Sequence, residues 1–106
     1  MRELKFIVKQ QRIRKDPDCD FSNLVAGSKG YLKAAFRFSP DWSGCKKAAS
    51  FWFGEEEHAT LLDELGCCMI PEAAITGELF EVSVTGIKPD GYTIKSGKTK
   101  VRQEVC

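Results

Sequence analysis

The sequence is short of what chemistry and membranes require. It has one histidine, His58, and its 16 basic and 15 acidic residues leave a net charge of only +1. No run approaches the roughly 20 apolar residues of a membrane span. The first residues, Met1-Arg2-Glu3-Leu4-Lys5, place charges where a signal peptide needs an apolar stretch. The expectation is therefore synthesis in the cytoplasm without membrane insertion. Nucleic-acid binders carry a basic excess to neutralise phosphates, so the even balance argues against nucleic acid as the main partner. It leaves room for a local basic patch.

The lone histidine narrows the chemistry further. A zinc site needs several ligands at chelating spacing, and no C-x-x-C motif is present. A thiol enzyme would have to pair His58 with a cysteine, yet His58 follows Glu55-Glu56-Glu57, a run that reads as a solvated face. Asp16-Pro17-Asp18-Cys19-Asp20 has aspartates at alternate positions. It lacks the central glycine and distal glutamate of a calcium loop, so it reads as a turn. Phosphate loops, dinucleotide fingerprints and nucleophile elbows are missing too. No catalytic residue, metal ligand or cofactor is assigned, and the chain is read as not an enzyme.

What is present is a strand pattern. At 106 residues the chain is one domain, 1–106, with 42% apolar residues. A chain of that size buries roughly 60–70% of its unfolded surface in one core. Leu4, Phe6 and Val8 share one face at period two. So do Leu32, Ala34, Phe36 and Phe38, then Phe80, Val82 and Val84, then Thr99, Val101, Gln103 and Val105. Such alternation marks half-buried antiparallel strands. Ala48–Phe53 is aromatic-rich and reads as a strand apolar on both faces. Glu55–Leu65 suits either an amphipathic helix or a short strand, and the regular strand spacing favours the strand. Lys88-Pro89-Asp90-Gly91 is a type I turn closing a hairpin onto Tyr92–Lys95. Helix is confined to at most one short turn near 71–76, started by Pro71. The class is an all-β antiparallel sandwich of about 7–8 strands, with Phe6, Leu32, Phe36, Phe51, Phe80, Val82 and Ile94 between the sheets.

Five cysteines, Cys19, Cys45, Cys67, Cys68 and Cys106, are an odd number for a disulfide framework. They read as free thiols in a reducing compartment, some buried as small hydrophobes. Cys67 and Cys68 are adjacent, and in a strand they point to opposite faces. Trp42 and Trp52 read first as core aromatics. Together with Tyr31 they are also the candidate interaction surface, for protein or for stacked sugar.

Several segments taken together resemble a phage family. These are Phe38-Ser39-Pro40-Asp41-Trp42-Ser43-Gly44, Lys47-Ala48-Ala49-Ser50-Phe51, Cys68-Met69-Ile70-Pro71, and Gly77-Glu78-Leu79-Phe80 with Val82, Val84 and Gly86. Their order is similar to the N-terminal domain of upper baseplate proteins in siphophages and prophages of Gram-positive bacteria. The likeness spans about residues 31–105. It implies an immunoglobulin-like β-sandwich made in the bacterial cytoplasm and carried in the virion, without catalytic residues. It implies a structural role in baseplate or tail assembly and host adsorption, through contacts with other virion proteins or further copies of itself. A carbohydrate-binding module contacting host-surface sugar, or a capsid decoration protein, is the alternative. The family's domain heads a longer chain, whereas this one ends just after its last strand, so a self-contained assembly piece is expected.

Overall fold

The computed structural model describes residues 1–105. Among them are nine strands: β1 (Arg2–Lys9), β2 (Arg12–Lys15), β3 (Leu32–Phe38), β4 (Lys46–Phe53), β5 (Glu56–Leu61), β6 (Cys67–Met69), β7 (Leu79–Ile87), β8 (Thr93–Lys95) and β9 (Thr99–Arg102). They form two sheets. The first has the order β2-β1-β3-β6. In the second, β5, β4 and β7 lie side by side, and both β8 and β9 pair with the free side of β7. The all-β sandwich expected from the alternation is the observed architecture.

The strands bury most of the residues the alternation selects; Phe38 and Thr99 are only half-buried, and Val105, past the end of β9, is exposed. Leu4, Phe6 and Val8 of β1, Leu32, Ala34 and Phe36 of β3, Ala49 and Phe51 of β4, Phe80, Val82 and Val84 of β7, and Val101 of β9 are all buried. Ile94 packs against them half-exposed. Through the core runs a chain of rings, Phe21–Phe6–Phe36–Phe38–Trp42, with neighbouring centroids 5.2–6.1 Å apart. Aromatic pairs at such distances add to the area they bury. The Lys88–Gly91 turn closes as expected: the Gly91 N–H donates to the Lys88 carbonyl at 3.1 Å.

Three features depart from the sequence expectation. First, β1 and β3 run parallel, Arg2 opposite Leu32 through Val8 opposite Phe38. Parallel neighbours need a crossover of a dozen or more residues, and residues 10–31 supply it: β2 runs back beside β1, and residues 16–31 cross to the start of β3. Second, among the described residues there are two short 3-10 turns, not one. Glu72–Ala74 is the expected one, and Pro40–Trp42 is the other, with its proline at the start. Third, Ala48–Phe53 is not apolar on both faces. Ala49 and Phe51 turn inward, while Ala48, Ser50 and Trp52 line the outer face.

On the side away from β4, β7 serves two partners because it is long. Its first half pairs with β9 and its second half with β8. Where those strands break, Ser96 completes the ladder. Its N–H donates to the Val84 carbonyl at 3.0 Å, and its hydroxyl accepts from the Val84 N–H at 2.9 Å.

Candidate interaction surface

The outer face of the second sheet is where large apolar side chains meet solvent together. The register places Leu61 of β5 and Thr85 of β7 on either side of Ala48 of β4. One step along, Ile87 lies opposite Lys46. Leu61 is 74% exposed and Ile87 52%. With Pro89 of the following turn they line a groove of about 640 Å³, to which Lys46, Lys47 and Lys88 also contribute. Solvated apolar side chains that adjoin across strands mark a contact surface more often than isolated ones do. β5 is also an edge of this sheet, so one side of its backbone is free to accept another strand.

Ile87 carried a sequence signal. It shares strand parity with Glu81, Ser83 and Thr85, the outward set, and so faces water. Leu61 carried none, because its neighbour Ala48 is fixed only by the register of β4 on β5.

The three candidate surface residues are not brought together. Trp42 is 0% exposed, so it takes no part in an outer surface. Its indole N–H donates to the Gln10 carbonyl at 2.8 Å, and its ring packs on Phe38. Trp52, read first as core, lies instead on the outer face, half-buried. The Lys98 ammonium sits 3.8 Å from its ring centroid and its N–H donates to the Ser83 hydroxyl at 3.0 Å. The cation occupies the ring face that a sugar would need. Tyr31, 49% exposed, precedes β3 in the other sheet and edges a small cleft with Arg2, Asn23 and Ser28.

The segments that carry the phage resemblance turn out to be packing partners. Trp42 is buried against Gly86, where an added Cβ would lie 2.9 Å from the indole Cε3. Ile70, Phe80, Val82 and Val84 complete the same core.

Among the described residues, no group of three or more His, Cys, Asp or Glu side chains is placed to hold a metal ion. The His58 imidazole is hydrogen-bonded to the Glu56 carboxylate at 2.6 Å. Cys19, Cys45, Cys67 and Cys68 are free thiols; Cys106 lies outside the described residues. Cys67 and Cys68 of β6 face opposite ways, as a strand requires, with Cys68 in the core. Burial pushes the Cys68 thiol up to about 12, with the neighbouring Cys67 and the Asp63 carboxylate adding to the shift. Burial also raises Cys67. A thiolate is the reactive form, so neither is poised as a nucleophile.

Among the described residues, no helix is long and apolar enough to cross a membrane. Compared with family models, curated proteins and solved structures, the chain matches none of them, so the functional reading rests on its own surfaces.

Proposed function

We propose that the chain is a non-enzymatic structural domain that works through protein–protein contacts, as a component of a phage or prophage tail or baseplate. The observation that carries this reading is the Leu61–Ala48–Ile87 groove on the second sheet, beside the open edge of β5. Burying Leu61 and Ile87 under a partner returns about 25 cal/mol for each Å² of apolar surface removed from water. A backbone edge next to an apolar groove also suits strand addition, where main-chain bonds give affinity and pockets give specificity. The ordered likeness to upper baseplate domains supports the virion setting. Assembly and host adsorption are then carried by surfaces rather than by a reaction centre.

Two experiments test it. Light scattering over a concentration series is expected to show self-association, or co-expression with the products of the neighbouring genes is expected to yield a stable complex. Leu61→Asp and Ile87→Asp are expected to abolish either one without unfolding the domain. A parent protein that stays monomeric and joins none of those neighbours overturns the proposal.

A further inference from the structure

The outer face of the first sheet sorts charge in a way the chain-wide balance hides. Leu4, Phe6 and Val8 point into the core, so Glu3, Lys5, Ile7 and Lys9 of β1 point out. The register sets Arg14 and Arg37 on either side of Ile7, Arg12 opposite Lys9, and Lys33 opposite Glu3. Asp16 follows next to Lys5, its N–H bonded to the Lys5 carbonyl. Six cations thus share this face with two anions, in a chain whose net charge is only +1. The remaining surface is net acidic.

Both anions are engaged. Glu3 lies 3.9 Å from Lys5 and 3.8 Å from Lys33, and the nearly buried Asp16 lies 3.4 Å from Arg37. Among the described residues no carboxylate pairs with Lys9, Arg12 or Arg14. Lys9 and Arg12 are directly opposed, an arrangement that costs stability in an antiparallel pair. Guarding an edge strand explains cations on β2. It does not explain Lys5, Lys9, Lys33 and Arg37, which stand on the two interior strands.

We propose that this face binds nucleic acid through the phosphate backbone, without reading base sequence. Four successive register rows each offer at least one cation: Lys9 with Arg12, Arg14 with Arg37, Lys5, and Lys33. Rows are two residues apart, about 6.7 Å at strand rise, which is comparable to the step between phosphates along an extended single strand. Three of the six are arginines, whose planar fork fits phosphate oxygens. The face has Ile7 and Ala35 as its apolar centre, with Met69 at the corner beside Lys33, and no aromatic ring at its outward positions. It therefore lacks the stacking platform that base contacts use. It also lacks the aromatic anchors that centre a protein interface and the apolar wedge of a membrane-binding surface. The sequence-level argument against nucleic acid summed charge over the whole chain, whereas a phosphate backbone meets one face. This inference does not depend on the assembly reading, which uses the opposite sheet.

The test is fluorescence anisotropy with labelled single-stranded oligonucleotides of about 20 nucleotides, one oligo-dT and one of mixed sequence, using the full chain. Saturable binding is expected for both, with equal affinity. Four to six phosphate contacts predict a log–log salt slope of about −3 to −4 between roughly 50 and 200 mM salt. Lys9→Gln/Arg12→Gln/Arg14→Gln is expected to weaken binding about tenfold or more and to flatten the slope by about 2. Removing the same charge from the second sheet, Lys95→Gln/Lys100→Gln/Arg102→Gln, is expected to change affinity by less than about threefold. All six positions are on the surface, and an unchanged melting temperature verifies the fold. The inference is overturned by absent binding at the lowest salt, or by equal loss in both triple variants. It is also overturned if polyglutamate or phosphatidylserine vesicles bind more tightly than the oligonucleotides. The charge variants leave Leu61 and Ile87 intact, so failure here is separable from failure of the assembly reading.

Discussion

Replacing Gly86 with alanine is expected to destabilise the domain by about 1–2 kcal/mol. A Cβ there would lie 2.9 Å from Trp42 Cε3, 3.0 Å from Cys45 Cβ and 3.2 Å from Trp42 Cζ3. Carbon pairs settle at about 3.5–4.0 Å. Trp42 cannot retreat easily, since it is fully buried and its N–H is held by the Gln10 carbonyl. Overpacking of this kind costs about 1–3 kcal/mol. Against it stands about 0.4–1 kcal/mol from reducing the freedom of the unfolded chain, because Gly86 does not use a positive φ. At about 4–8 °C per kcal/mol for a domain of this size, the melting temperature is expected to fall by about 5–15 °C. Gly97→Ala is the control, since nothing lies within 4 Å of its added Cβ; it is expected to leave the melting temperature unchanged or raised. Trp42→Leu removes the two indole atoms. In that background the cost of Gly86→Ala, read by urea titration, is expected to shrink, the 3.0 Å approach to Cys45 Cβ alone remaining. A Gly86→Ala protein as stable as the parent, or an undiminished cost beside Leu at 42, refutes the packing argument.

Other expectations follow from single contacts. Burial lifts the Cys68 thiol from 9.0 to about 12. The folded value is above the unfolded one, so its contribution to stability is complete below about pH 9 and is lost as pH climbs toward 12. Urea midpoints between about pH 8 and pH 11 are expected to fall less steeply in Cys68→Ala than in the parent. The Gln103 amide donates to the carbonyls of Ile75 at 3.1 Å and Gly77 at 3.0 Å. Gln103→Leu strands the Gly77 carbonyl and leaves that of Ile75 to the Gly27 N–H at 3.0 Å, and is expected to cost about 1–3 kcal/mol in chemical denaturation. Leu61→Asp and Ile87→Asp, at exposed sites, are expected to change stability by less than about 0.5 kcal/mol while removing association.

The legible part of the structure was local. The inward sets of β1, β3 and β7, the Lys88–Gly91 turn and the single turn at 72–74 could be read directly, because each depends on a few adjacent residues. The site was far less legible. Trp42 and Trp52 both sit in aromatic, turn-flanked segments. Only the fold shows that Gly86 opens a slot for the first, while inward Phe51 forces the second outward. Ile87 could be placed by parity, but Leu61 could not, since nothing near it in the chain says that Ala48 is its neighbour.

Taken alone, the sequence determined an all-β domain and the faces of its strands. Alternation has a period of two, and a strand with one apolar side has only one way to bury it. Tertiary structure alone decided that β1 and β3 run parallel, that Leu61 and Ile87 line one groove across β4, and that six cations gather on one sheet. Partner and register are set by segments far apart in the chain, and a sum of charges carries no record of which side chains the register brings together.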